Sequence, residues 1–345
     1  MLRLVAAADA SDASSATPGL TDTERAVYGP ASVEELREFL SVWAGDRLGS
    51  PIAEVLFRAG RIDVVWGVEL ADGRAVVIKI HRSPVDTDAL KVTHEAQRVL
   101  AAAGFPSAAP LIEPDQHGGH VLTAEPLIVG RAPDGPDPAS RLLLADGMAG
   151  HIHLLRDQVS IIRRAGPGPS WCRYQNGPWP IPHDTLVDFG ATRPGYEWLD
   201  DFGQRGADQI LHNRDANRVV VGHADWYAGN TAAARGQLVG TFDWELLAET
   251  EAVIAGFAAS CYASSSTGSG GLSSPHEVAA FMRDYDIARG HPLSPREQRT
   301  AAAAAAWIAA FNARWQVGLI PHGISDEATI ARARDLGEEF LALAW

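Results

Sequence analysis

The sequence predicts an α+β chain in two lobes: a small β-rich lobe carrying one prominent helix, then a larger, mainly helical lobe. Three observations predict it. Strand-like runs crowd into residues 54–81 and recur at 109–113 and 120–124. A stretch rich in Gly, Pro and Asp, Gly130-Arg131-Ala132-Pro133-Asp134-Gly135-Pro136-Asp137-Pro138, then interrupts the pattern. Beyond it, helix-start signals and alanine-rich runs dominate. The expected division is a tail over 1–28, a first lobe over 29–126 and a helical lobe over 127–345.

Residues 1–28 are rich in Ala, Ser, Asp and Thr with little periodicity, and read as a partly ordered tail or arm. Ser32-Val33-Glu34-Glu35 is a capping box for a helix reaching about Trp43. Residues 54–57, 64–70 and 75–81 are β-rich, and Ala71-Asp72-Gly73-Arg74 turns the chain between the last two. From 86 to 103 the apolar Leu90, Ala96, Val99, Leu100 and Ala103 fit a helix, which Gly104 ends and Pro106 follows. Helices are expected over 140–164 and 196–213, the second interrupted near Gly203 and Gly206. Ser274-Pro275-His276-Glu277 and Ser294-Pro295-Arg296-Glu297 each combine an N-cap Ser, a Pro at the first helical position and a Glu at the third. Residues 301–315 are helical by propensity, and 263–274 read as a flexible loop.

Composition narrows the function. The chain has 345 residues, 46% hydrophobic, and a formal net charge of −14. An acidic surface argues against nucleic acid or an anionic membrane as the main partner, and suits a cationic small molecule. Cys172 and Cys261 are the only cysteines, which excludes a disulfide scaffold and a CxxC zinc site and fits a cytoplasmic protein. The first residues make too short an apolar run for a signal peptide, and 301–311 is too short to span a bilayer. Only Lys79 and Lys91 are lysines among 29 basic residues. A chain that prefers Arg so heavily keeps a Lys where a compact ammonium is needed.

The chemistry concentrates in Val219-Val220-Val221-Gly222-His223-Ala224-Asp225-Trp226-Tyr227-Ala228-Gly229-Asn230 and in Val239-Gly240-Thr241-Phe242-Asp243-Trp244-Glu245. His223, Asp225 and Asn230 stand at offsets 0, +2 and +7, with Asp243 at +20. Phosphoryl transfer needs such a set: one carboxylate meets the attacking hydroxyl, while a carboxamide and a second carboxylate hold Mg²⁺ on the nucleotide phosphates. Upstream, Val76-Val77-Ile78-Lys79-Ile80 puts Lys79 on a strand, and Glu95 lies in the helix that follows. Thr123-Ala124-Glu125-Pro126-Leu127 ends the last strand of the first lobe.

With these residues, over about 50–320, the chain resembles the aminoglycoside phosphotransferase family within the protein-kinase-like superfamily. The resemblance implies a bilobal protein-kinase-like fold and an ATP- and Mg²⁺-dependent kinase. It implies that Lys79 pairs with the nucleotide phosphates and is held by Glu95. It makes the backbone of Glu125 and Leu127 the meeting point for adenine, Asp225 the base or orienter of the acceptor hydroxyl, His223 a brace of the loop, and Asn230 and Asp243 the metal ligands. The phosphate loop Arg58-Ala59-Gly60-Arg61-Ile62-Asp63-Val64 lacks GxGxxG, which leaves phosphate gripping to amides near Gly60 and Arg61. Ala228 and Gly229 stand where protein kinases carry a loop lysine, and no Ala-Pro-Glu segment follows Asp243. Both departures point to a small-molecule acceptor.

Glu245, Glu249 and Glu251 cluster with Asp225 in sequence and suit an amino sugar or another cationic alcohol. Trp226, Tyr227 and Trp244 offer rings to a sugar face or to the core. A metabolic kinase of choline, homoserine or a hexosamine, and a nucleotide-binding pseudokinase scaffold, stay open as alternatives. So do GTP in place of ATP and the oligomeric state.

Overall fold

In a computed structural model of the chain, residues 19–134, 137–180, 187–264 and 272–345 are described. The chain divides into two compact units. The first runs to Ala132 and includes Ala232–Ala234 and Val239–Phe242; the second holds Pro133–Thr231, Arg235–Leu238 and Asp243–Trp345.

The first unit is a five-stranded antiparallel sheet with three helices. It opens with α1 (Asp22–Val27) and α2 (Val33–Leu48), each with a capping box, Thr21 with Glu24 and Ser32 with Glu35. Part of the expected tail is therefore a built element; residues 1–18 lie outside the described segments. Strands β1 (Ile52–Ala59), β2 (Val64–Leu70) and β3 (Ala75–His81) follow, then α3 (Thr87–Ala102), capped by Asp86. The unit's sheet closes with β4 (Asp115–His117) and β5 (His120–Pro126), in the order β1-β2-β3-β5-β4. The expected strand at 109–113 is absent; the segment makes a single bond to the sheet, Leu111 N–H to Ala124 O at 2.8 Å, and the strand forms beyond Pro114 instead. Leu36, Leu40 and Trp43 of α2 are buried with Trp66, Val68, Ile78 and Leu122 of the sheet in one core. Each such side chain contributes about 1.5–3 kcal/mol by leaving water.

The second unit is mainly helical. Helix α4 (Pro138–Leu155) starts at the N-cap Asp137, and α5 (Val159–Ala165) follows a turn at Asp157 that divides the single helix expected over 140–164. Helix α6 (Glu197–Asn213) runs unbroken. Its glycines serve packing: a Cβ at Gly203 would stand 2.8 Å from the Trp179 ring, and one at Gly206 3.1 Å from Trp307. Then come β6 (Val219–His223), β7 (Thr231–Ala234), β8 (Gln237–Thr241) and β9 (Leu246–Thr250); β7 pairs with β8, and their residues are shared out between the units. Helices α7 (Glu251–Cys261), α8 (Pro275–Ala288), α9 (Pro295–Leu319) and α10 (Glu327–Leu341) complete the unit, with Ser274 and Ser294 in the expected capping boxes. Most of the expected loop, residues 265–271, lies outside the described segments. At Gly256 a Cβ would meet Ala301 O at 2.3 Å, so α7 and α9 approach backbone to backbone. No helix among the described residues is long and apolar enough to cross a membrane.

Candidate active site

Antiparallel pairing of β6 with β9 builds the centre of the second unit. His223 faces Leu246 in the register, and Ala224 N–H donates to Glu245 O at 2.8 Å. Pairing at this end of the ladder brings Asp225, just past β6, beside Asp243, just before β9. That adjacency explains the offset of eighteen residues between the two carboxylates.

Asn230 joins them. It is buried, and its side-chain nitrogen donates to both the carbonyl and Oδ2 of Asp225, each at 2.9 Å. Asp225 is half-buried, and its carboxyl is pushed up to about 7, first by desolvation and then by the charge of Asp243, against the Asn230 bond. Asp243 is exposed and has φ 57°, in the left-handed region that non-glycine residues seldom occupy.

His223 is tied to the Asp225 backbone, and a second histidine, which the sequence reading missed, is bonded to His223 in turn. The Asp225 N–H donates to Nδ1 of His223 at 3.2 Å. The His223 N–H in turn donates to Nε2 of His151, on α4, at 3.2 Å. Nδ1 of His151 lies 3.0 Å from Gly147 O, which makes it the donor and fixes the neutral tautomer. Burial drives the His151 pKa down to about 3, with His223 adding to the shift. The ring packs 4.8 Å from Trp226 and 5.4 Å from Trp244, centroid to centroid. No motif marks His151, because His223, which it supports, is 72 positions away.

The aromatic and acidic candidates separate. Trp226 is only 1% exposed and donates its indole N–H to Leu144 O at 3.0 Å, so it forms the floor of the loop instead of a face for a sugar. Trp244 is likewise buried. Tyr227 is half-buried with its ring over Gly229. Glu249 is buried on β9 and held by Arg214 at 2.6 Å and Tyr174 Oη at 2.9 Å, which corrects its placement among acceptor groups. Glu245 is exposed, and its Oε2 accepts the indole N–H of Trp171 at 3.0 Å. Cys172, next to Trp171, has its thiol pushed well up by burial, then by Glu245 and Asp225. Cys261 is pushed up to about 12 by burial and by Asp225. Cys172 and Cys261 thus lie within electrostatic reach of Asp225, and Glu245 within that of Cys172. Trp171 was invisible as a site residue because its partner is 74 positions away.

The first unit holds the other half of the expected residues. Lys79 lies mid-strand on β3, opposite Val65 and Thr123. Glu95 is half-buried on α3. Its neighbour His94 is buried, and burial takes its pKa down to about 4, opposed by Glu113 and reinforced by Arg98, His81 and Lys79. Gly60 has φ 111°, and a Cβ there would meet Asp63 O at 1.9 Å, so only glycine fits the β1–β2 turn that carries Arg61. Asp63 is fastened by His81 Nδ1 at 2.9 Å and by the Arg82 N–H at 2.8 Å. Of the backbone groups expected to meet adenine, the sheet takes up the Leu127 amide. The Leu127 N–H donates to Ala75 O at 3.0 Å, and Glu125 faces Val77 in the same ladder. Glu125's side chain is buried and accepts from Gln97 Nε2 at 2.9 Å. The Leu127 donor is spent in the sheet and is not offered to a base.

Oxygen donors of this kind fit a hard divalent cation. Among the described residues no three His, Cys, Asp or Glu side chains converge as a metal cage. Mg²⁺ on nucleotide phosphates takes one or two protein oxygens and fills its shell with phosphate and water. The Asp243 carboxylate and the Asn230 amide oxygen answer that description.

Comparison with known proteins supports the architecture. No protein-family model matches the chain, and no curated protein sequence matches it. Solved structures do. An amicoumacin kinase, hAmiN, in complex with AMP-PNP, Ca²⁺ and Ami is 14% identical with a TM-score of 0.60, over 90% of this chain and 96% of its own. A choline/ethanolamine kinase family protein from Mesorhizobium loti is 14% identical with a TM-score of 0.54, over 90% and 98%. A spectinomycin phosphotransferase in complex with ADP and spectinomycin is 13% identical with a TM-score of 0.54, over 91% and 99%. The chain therefore has the protein-kinase-like fold of small-molecule phosphotransferases.

Proposed function

We propose that this protein is an ATP- and Mg²⁺-dependent O-phosphotransferase acting on a small hydroxylated molecule, an amino sugar or aminoglycoside by preference. The observation that carries the reading is the junction of Asp225, Asn230 and Asp243 at one end of the β6–β9 pair. Asp225 orients the acceptor hydroxyl and takes its proton as the oxygen attacks the γ-phosphorus. The bond from that phosphorus to the bridging oxygen breaks, and ADP leaves. A carboxyl raised to about 7 is near the working pH, where a base both exists ionised and holds a proton well. Asp243 and Asn230 would hold Mg²⁺, which when bound neutralises phosphate charge. Lys79, steadied by Glu95, pairs with the phosphates, and amides at Gly60 and Arg61 grip them.

Glu245 with Trp171 supports a cationic acceptor, since an exposed carboxylate beside an indole suits an ammonium group. The same pair suits a metabolic kinase of a small amino alcohol. The cysteines are free thiols, consistent with a reducing cytoplasm. The test is phosphate transfer from ATP or GTP with Mg²⁺ over aminoglycosides, amino sugars, macrolides and amino alcohols. Transfer should depend on Asp225, falling roughly 10²–10⁴-fold in Asp225→Ala. Full activity in that variant would sink the mechanism. Nucleotide binding without turnover on any acceptor would favour a scaffold.

A further inference from the structure

The β1–β2 turn is fastened from outside by an element with no part in the reaction. Helix α1 buries Glu24 to 1% exposure, and its carboxylate collects four bonds. The Thr21 N–H donates to Oε2 at 2.8 Å, Trp66 Nε1 to Oε1 at 2.7 Å and Arg58 Nε to Oε1 at 2.9 Å, while Arg58 Nη2 also reaches Oε2. Arg58 is itself buried, lies over the Trp66 ring and donates to Gly19 O at 2.9 Å. Arg58 and Trp66 are direct cross-strand partners, two residues before Gly60. A second fastening reaches the turn, where Thr23 Oγ1 donates to Arg61 O at 3.2 Å. The far side is held by His81 and Arg82 on Asp63, and by Arg82 Nε on Ile62 O at 2.9 Å.

A sheet core alone does not require this arrangement. Burying a charged pair is costly unless every bond is made, and an apolar pair of equal volume would serve stability as well. A fully bonded buried pair fixes geometry, and here it fixes the root of one turn. We propose that α1 is a clamp on the phosphate-gripping turn, with Glu24 a positioning residue for the nucleotide's phosphates acting through Arg58. This rests on reading residues 60–63 as the turn that grips phosphate.

The test uses the full chain and three variants: Glu24→Gln, Arg58→Lys and Thr23→Val. Calorimetry with Mg²⁺ measures affinity for ATP, ADP and adenosine, and kinetics gives the KM of ATP and of the acceptor. Glu24→Gln should weaken ATP and ADP roughly tenfold and leave adenosine unchanged, because the lost charged bond to Arg58 loosens only the turn read as gripping phosphate. Arg58→Lys, which keeps the charge and loses the fork, should fall partway. Thr23→Val removes one partly exposed bond without threatening the fold, and should weaken ATP about threefold. The ATP KM should rise while the acceptor KM holds. Should Thr23→Val and any folded Glu24 variant bind ATP as the wild type does, or lose adenosine in proportion, the clamp is wrong and the kinase reading stands. Should the wild type bind no nucleotide, the kinase reading falls and the clamp with it.

Discussion

Asp225 sits under two opposed demands. Its carboxyl is desolvated and faces the charge of Asp243, which raises its pKa to about 7. At pH 8 the ionised form is therefore strained, and removing the charge should relieve the fold. Asp225→Asn keeps a side-chain oxygen for the Asn230 donor. It should raise stability by roughly 1–3 kcal/mol at pH 8, while phosphate transfer falls about 10²–10⁴-fold. Thermal melting of the metal-free protein checks this, and a lowered melting temperature would refute the account of the shift. His151 makes the contrasting case. His151→Ala strands the buried His223 N–H and opens a cavity beside Trp226, at a cost of about 3 kcal/mol, and should lower kcat more than the acceptor KM. His153→Ala, exposed two residues on, should do neither.

Elements explain why some of this was legible in the sequence. Capping boxes at Ser32, Ser274 and Ser294 and the β2–β3 hairpin depend on neighbours within a few residues, and all formed as read. The motif from His223 to Asp243 was legible because one strand pair brings it together. What failed depends on distance. Gly203 and Gly206 looked like helix breaks, yet Trp179 and Trp307, far away in sequence, require them. Glu24 looked like part of a tail, since its partners Arg58 and Trp66 lie 34 and 42 positions on. Leu127 looked free for adenine until the register placed Ala75 opposite it. Gly222 tests the element that matters most. A Cβ there would stand 3.0 Å from Ile254 and 3.2 Å from His151 Nε2, pressing β6 away from α4 and α7. Gly222→Ala should cost about 1–3 kcal/mol and reduce kcat, and an unchanged kcat would show that the loop tolerates a shifted strand.

For the whole molecule, opposed pKa shifts at buried sites set the response to acid. His94 and His151 are held neutral by burial, down to about 4 and about 3, and burial lowers His120 as well. Between pH 6 and 5 the unfolded chain protonates His94 and His151 and the folded chain does not, so stability falls as pH falls. Each fully shifted group contributes about 1.4 kcal/mol per pH unit. Asp225 acts in the other direction: folded, with its pKa near 7, it binds a proton across that window, and unfolded, with an ordinary carboxyl, it does not. It offsets about one histidine. Carboxylates held low, such as Glu24, which Arg58, Thr21 and Trp66 pull down against the effect of burial, lose their contribution only at lower pH. Urea unfolding of the nucleotide-free protein between pH 6 and 5 should therefore show stability falling with acid. In Asp225→Asn the same slope should steepen by about 1.4 kcal/mol per pH unit, because the opposing proton is gone. Parallel slopes in the two proteins would mean that Asp225 titrates as an ordinary carboxylate. Its place beside Asp243 would then need another explanation.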